Sequence, residues 1–414
     1  MSRRILILGV GAEGPASLSP ALQERVATAD WLCGGRRLLE LWPEHRGEKI
    51  VIDNNITALI ERMRGRGEAR VVVLASGDPG FYGIGATLAR ALPAGDLEIV
   101  PHVSSLQLAF ARAGLPWCDA VFTSAHARSL GEVVGWARRA RTLGILTDPE
   151  NSPAAIARVL LAAGVSDCRA IVAENLGLPT ERLVDTRLSA LPDLEFAPLN
   201  VLILAHGTEW RPAPALAFRR DDSYAHRRGL ITKADVRALC LVRLALAEDD
   251  VAWDVGAGSG AVSIEMAQLA WRGRVLAIEH DADSLADIAV NRERFAALNI
   301  EVVAGRAPTA LAGLPAPDAV FVGGSGGELG GILRHVAKVA RPGCRIVVSL
   351  ATLENLAEAR AVLQALGLTH DVTYVSIAHG EPLAGLTRLA PLNPVFIVSA
   401  VVPAAEDAGK ADAS

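Results

Sequence analysis

The stretch AWDVGAGSGAVSIEMAQLA (252–270) ends an apolar run on Asp254-x-Gly256-x-Gly258-x-Gly260 and passes directly into a helical pattern. Without side chains the turn lets backbone approach a ligand closely, and the following helix start offers free N–H groups. The next apolar run, VLAIEHD, ends on Glu279. An acid roughly twenty residues past the glycines is placed to meet ribose hydroxyls in nucleotide-binding sheets. Taken alone, these residues suit a nucleoside-containing cofactor, a dinucleotide, or a tight turn with no ligand.

Working outward, the pattern is α/β with largely parallel sheets. Short β-branched runs (ILILGVG, VVVLAS, LEIV, AVFTSAH, LGILT, CRAIVAE, NVLILAHG) alternate with helical segments up to Gly207. The segment 208–222, with Pro212, Pro214 and several arginines, breaks the periodicity and reads as a linker. A second α/β pattern begins near 223, with VAWDVG, RVLAIEHD, IEVVAG, DAVFVGG and CRIVVSL. Leu285, Ile288, Phe295 and Leu298 give one apolar helix face within it. The last two runs, VTYVSIAHG and PVFIVSAVV, lack a helix between them and predict a terminal antiparallel hairpin. The polar tail 403–414 reads as disordered. Domains of 1–207 and 223–402 follow.

Composition narrows the function. A net charge of −5 without a basic run argues against nucleic-acid partners. Five scattered cysteines with no C-x-x-C pair read as reduced thiols in a cytoplasmic protein, and no metal site is expected. The N-terminal MSRRILILGVG lacks a secretory pattern, and no apolar stretch reaches membrane-spanning length.

A second glycine motif, ILILGVGAEG (5–14), has the G-x-G-x-x-G spacing but the wrong surroundings for NAD. Pro15 follows Gly14 immediately. The better helix start is Ser19-Pro20, an N-cap serine before a first-turn proline. The acid Asp30 precedes the next strand when it should end it. Further on, Ser76-Gly77-Asp78-Pro79 ends a strand and leads to a helix, and Ser104-Ser105-Leu106-Gln107 has capping-box spacing.

The spacing Asp-x-Gly-x-Gly-x-Gly resembles the S-adenosylmethionine (SAM) site of Rossmann-like methyltransferases, whose sheets also finish on an antiparallel strand. The motifs GVGAEG, SGDPGFYG, PHVSSLQLAFARAGLPW and AENLG resemble the tetrapyrrole methylase family over residues 1–207. Residues 223–402 resemble the small SAM-dependent methyltransferase subunit of cobalamin synthesis, through ITKADVRAL, WDVGAGSG, Glu279 and VGGSGGEL. These resemblances imply an N-terminal fold of two α/β subdomains with a cleft, a C-terminal seven-stranded Rossmann-like fold, and two SAM sites per chain. Gly11, Gly77, Asp78, Ser104, Ser105 and Asn175 are expected at the first site. Thr232, Asp254, Gly256, Gly258, Ser259, Gly260, Glu279 and Ala307 are expected at the second, with Asp254 near the cationic end of SAM. Where relatives often carry an acid after the third-strand glycine, this chain has Arg306, which leaves adenine to backbone groups near Ala307.

The implied acceptor is a reduced tetrapyrrole with acetate and propionate arms, methylated at carbons 5 and 15 and decarboxylated at the ring C acetate. Arg227, Arg228 and Arg388, with Gly323 and Gly324, are the expected substrate contacts. His226, Lys233, Arg237 and His379 are the candidate catalytic groups, although Lys233 and Arg237 equally suit a solvated helix face. A homo-oligomer is expected from the family. Competing readings are a methyltransferase acting on RNA or protein, for which no amino-group clamp is visible after DAVFVGG, and a non-catalytic SAM-binding module.

Overall fold

The computed structural model describes residues 4–53, 55–126, 130–212, 219–227 and 231–403. The chain forms two compact units, 1–212 and 213–414.

The first unit contains two sheets. β1 (Ile5–Val10), β2 (Trp31–Gly34), β3 (Glu48–Val51), β4 (Val71–Ser76) and β5 (Leu97–Val100) form a parallel sheet in the order β3-β2-β4-β1-β5. Alternation along β1 and β4 splits their side chains between two cores. Leu6, Leu8, Val72 and Leu74 lie on one face, and Ile5, Ile7, Val71 and Val73 on the other. Every residue of β1 is buried, as a central strand covered on both faces requires.

The second sheet comprises β6 (Val121–Ser124), β7 (Thr142–Leu146), β8 (Arg169–Glu174), β9 (Arg182–Arg187) and β10 (Asn200–Ala205), in the order β6-β7-β10-β8-β9. Here the expectation of largely parallel sheets is corrected. Only β6–β7 is parallel; β10 runs antiparallel to both neighbours, and β8–β9 is a hairpin. β3 and β9 escape the sequence reading because both are short polar edge strands.

In the first glycine motif, the role of Gly9 is steric. A Cβ there would run into the Gly77 carbonyl and come within 2.5 Å of the His102 amide, two groups that bond each other at 3.2 Å. The turn Gly14–Ser17 fills the loop after the motif, and the helix Pro20–Ala27 begins after Ser19 as expected. The capping box on Ser104 and Gln107 forms, with bonds of 3.2 and 2.8 Å. The helix after SGDP starts later than expected, at Ile84.

The second unit is built on a seven-stranded sheet. β11 (Val251–Val255), β12 (Arg274–Glu279), β13 (Ile300–Ala304), β14 (Ala319–Val322) and β15 (Arg345–Leu350) are parallel; β16 (His370–Val375) and β19 (Val395–Val401) complete it. The order is β13-β12-β11-β14-β15-β19-β16, with β19 antiparallel to both neighbours. Cores lie on both faces: Ala252, Ala277, Phe321 and Val347 on one, Trp253, Leu276, Val320 and Ile346 on the other. The chain between β16 and β19 makes a separate exposed hairpin, β17 (Ala378–Leu383) and β18 (Leu386–Pro391).

Two expectations shift here. Arg219–Asp222, read as part of a linker, falls in the second unit, and Tyr224 just beyond it is buried in the core of that unit. Leu298 lies beyond the helix Ala282–Phe295 and is exposed, while Ile288 is buried. The tail 404–414 lies outside the described residues.

Replacing Gly9 with Ala is expected to destabilise the first unit by about 1–3 kcal/mol or more through overpacking. Gly95→Ala, where a Cβ meets nothing within 4 Å, is the control and is expected within about 0.5 kcal/mol of the parent. Thermal unfolding of the two variants checks this.

Candidate functional site

At the carboxyl edge of the seven-stranded sheet lies a cavity of about 780 Å³. Its floor is the glycine turn. Gly256 has φ +73°, and a Cβ on it would strike the Gly324 carbonyl and approach the Gly324 Cα to 2.7 Å. Gly323 and Gly324 in turn donate their amides to the Val255 carbonyl at 3.0 and 3.3 Å. The ends of β11 and β14 are thus in backbone contact, which only glycine at 256 allows; a Cβ on Gly324 would come no closer to Gly256 than 3.7 Å.

Glu279, buried at the end of β12, accepts from the Gly258 amide at 2.8 Å, and from the His280 and Asp281 amides at 2.7 and 2.9 Å. One carboxylate therefore ties the glycine turn to the β12 loop and lines the cavity. Beside it, a nook of about 140 Å³ is lined by Gly305, Arg306 and Ala307, and shares Gly256, Glu279 and Gly324 with the main cavity. Arg306 spans this nook to bond the Gly326 carbonyl at 3.1 Å.

The cavity brings together Arg227, Thr232, Lys233, Gly256, Gly258, Ser259, Glu279, Gly323 and Gly324 of the expected residues, with Ala307 in the adjoining nook. Its two cations are already paired. Arg227 contacts Asp281, Asp283 and Ser284; Lys233 Nζ lies 3.3 Å from Asp221. Arg228 lies outside the described residues.

Six expected residues of this unit lie elsewhere, Arg237 among them. Asp254 is buried under the turn, where one oxygen accepts from the Ser263 hydroxyl and the other has no partner, so it does not reach the cavity. Gly260, at φ +76°, packs on Ile288. His226 turns its Nδ1 to the Tyr224 carbonyl at 3.0 Å. His379 and Arg388 sit on the exposed hairpin, paired with Asp235 at 3.1 Å and Glu381 at 3.0 Å.

Arg237 corrects both alternatives offered for it, since it is neither solvated nor in the cavity. It is fully buried, bonding Glu265 at 2.8 Å and the carbonyls of Thr232 and Arg219 at 2.7 Å each. Tyr224 donates to the same Glu265 oxygen at 2.7 Å. Asn291, also fully buried, belongs to no motif that marks it in the sequence. Its amide bonds the Ala225 carbonyl at 2.9 Å and the Ser259 carbonyl at 2.8 Å, and accepts from the Ala225 amide. These two side chains fasten 219–227 and Thr232 to the helices behind the glycine turn.

In the first unit a cavity of about 370 Å³ is lined by Asp78, Ser104 and Ser105, with Phe81, Tyr82 and Leu146. Gly77 supports it from below: at φ +63°, a Cβ would come within 2.9 Å of the Ser104 Cα. Gly11 and Asn175 do not line it. Gly11 bonds Ser17 Oγ at 3.0 Å, and Asn175 holds a left-handed turn at φ +50°. Among the described residues no helix is long and apolar enough to cross a membrane, and no cluster of His, Cys, Asp or Glu could hold a metal ion.

Each of the two α/β units thus carries a cleft lined by residues at the ends of its strands. The model of tetrapyrrole (corrin/porphyrin) methylases matches residues 4–192, and that of the precorrin methyltransferase domain matches 222–402. A Sinorhizobium precorrin-6Y C(5,15)-methyltransferase (decarboxylating) is 34% identical over 94% of this chain and 94% of its own length. The chain belongs to the precorrin-6Y C(5,15)-methyltransferase (decarboxylating) family. It is accordingly a methyltransferase of cobalamin biosynthesis. Two shorter relatives match parts of it. A cobalt-precorrin-6B C(15)-methyltransferase (decarboxylating) of Pyrobaculum calidifontis is 38% identical over 44% of this chain and 93% of its own. A cobalt-precorrin-7 C(5)-methyltransferase of Salmonella typhimurium is 35% identical over 43% and 88%.

Burial raises the Asp254 carboxyl to about 7, and the nearby Glu279 charge adds to the rise that the Ser263 bonds oppose. The folded state therefore keeps a proton that the unfolded chain loses near pH 4, so this group's contribution to stability declines from about pH 4 to 7 and is level above that. Asp254→Asn removes the titration. Its stability relative to the parent is expected to rise by a few kcal/mol between pH 4 and pH 8, at about 1.4 kcal/mol for each pH unit separating the folded from the unfolded titration. Chemical unfolding of both proteins across this range reads the difference.

Proposed function

We propose that each unit binds its own SAM and that both act on one tetrapyrrole, precorrin-6Y. In this reading the second unit methylates carbon 15 and removes the ring C acetate carboxylate, while the first methylates carbon 5, giving precorrin-8. The observation that carries it is the 780 Å³ cavity, which begins at a glycine turn and a ribose-placed carboxylate and continues well beyond them. The matching of separate C(15) and C(5) enzymes to about two-fifths of the chain each supports two separable methylations.

The residues fit SAM in particular. Glu279 retains acceptor capacity for a ribose hydroxyl beside the three amides it holds, and the nook at Gly305–Ala307, spanned by the Arg306 side chain, adjoins it. No cation of the glycine turn waits for a pyrophosphate. When bound, SAM supplies a methyl group on a sulfonium. The protein's part is to hold donor and acceptor in line, which contributes on the order of 7–11 kcal/mol to such a displacement. Thr232 and Lys233 wall the cavity because Arg237 and Asn291 fix the segment they belong to. In the first unit Asp78, Ser104 and Ser105 are the corresponding contacts.

The reading includes a homo-oligomer in the cytoplasm, with neither nucleic acid nor membrane as a partner. Leu383, Leu386 and Leu389, exposed on the β17–β18 hairpin, support self-association. Sedimentation as a monomer at micromolar concentration counts against it.

Gly256→Val drives a side chain into the Gly324 backbone and so distorts the floor of the second unit's cavity. Supplied with substrate and SAM, this variant is expected to lose at least about 100-fold in methylation at carbon 15 and in CO2 release. Methylation at carbon 5 is expected to persist on a substrate already methylated at carbon 15. Mass spectrometry of the products reads both; loss of carbon 5 methylation with carbon 15 intact reverses the assignment.

A further inference from the structure

The cavity of the second unit follows the sheet edge from Glu279 on β12, past β11 and β14, to β15 and the start of β19. Four strand spacings of about 4.8 Å make this about 19 Å. The β12 and β11 end holds the carboxylate and the glycine turn, which leaves the β15 and β19 end for the acceptor.

That far end has a distinct chemistry. Its lining is Ser349, Leu350, Ala351, Asn355, Asn393 and Val395. The register Leu350↔Phe396 sets Asn393–Val395 beside the chain leaving β15, so that Asn355 and Asn393 flank one strand end. Among the described residues neither side-chain amide has a hydrogen-bond partner; Asn355 uses only its backbone amide, on Thr352. The cations of the cavity, Arg227 and Lys233, are committed to Asp281, Asp283 and Asp221. A carboxylate arriving here meets neutral N–H donors, on the half-buried Asn355 and the exposed Asn393, beside Leu350 and Val395.

We propose that Asn355 and Asn393 form the subsite for the acetate carboxylate that leaves as CO2. The proposal rests on the reading that the second unit decarboxylates. In that step the bond from the methylene to the carboxyl carbon breaks, and its electron pair passes into the conjugated macrocycle. The pair returns to the methylene carbon as a C–H bond with one proton from water, so no oxidant or reductant is consumed. Negative charge leaves the carboxylate as the bond breaks. A cation there stabilises the starting anion more than the transition state and slows the step. Amides orient the group without that penalty.

The test uses the full chain with substrate carrying labelled ring C acetate. Asn355→Leu and Asn393→Leu are each expected to lower kcat for CO2 release about 10- to 100-fold, the scale of a misplaced reacting group. Titration with S-adenosylhomocysteine is expected to give parental affinity, which shows that the variants are folded. Asn393→Lys is the decisive arm: KM for the tetrapyrrole falls and kcat for CO2 release falls with it. The proposal is overturned if both Leu variants release CO2 within about twofold of the parent, or if the Lys variant is faster. If Gly256→Val releases CO2 normally, it is the underlying assignment of decarboxylation to this unit that fails.

Discussion

The backbone contact between Gly256 and Gly324 is the constraint on which the second unit's site depends. Two strand ends meet without side chains, and the Val255 carbonyl receives both Gly323 and Gly324 amides. This closes the sheet edge beneath the cavity and leaves Glu279 to bridge the turn from the other side through Gly258. With the floor made of backbone, the functional side chains can come from the surrounding loops. Thr232 and Lys233 arrive on a segment held by Arg237, while Asn355 and Asn393 arrive where β15 ends and β19 begins.

The first unit uses the same steric device for another purpose. Gly9 and Gly77 let the ends of β1, β4 and the chain after β5 close on one another, and Gly77 brings Ser104 against the turn that carries Asp78. The glycines of this motif therefore pack strand ends together, while the cavity is lined by the residues that follow Gly77 and by the start of the helix Ser105–Ala113. Similar glycine spacing thus supports two different pocket constructions in one chain.

What could be read from sequence was local. The Ser104 capping box, the helix start at Ser19, and the Gly256 turn with its acid at Glu279 are each specified within a few residues or by one strand-to-strand spacing. What could not be read depends on distant partners. Arg237 looks like a surface residue until Glu265 on another helix and the carbonyl of Arg219 are folded around it. Asn291 carries no motif, yet it joins Ser259 to Ala225. The polar strands β3, β9, β17 and β18 lack the apolar alternation that marks a buried strand, because they lie at edges or in the exposed hairpin. Tyr224, just past the supposed linker, was the available signal that its end docks: an aromatic in a charged stretch whose ring and hydroxyl both find buried partners.

The proposed function requires two independent donor sites that serve one substrate. Isothermal titration of the full chain with S-adenosylhomocysteine tests it most directly. The account predicts two equivalents bound per chain, falling to one in Gly256→Val; a single equivalent in the parent protein, or two retained in the variant, contradicts it.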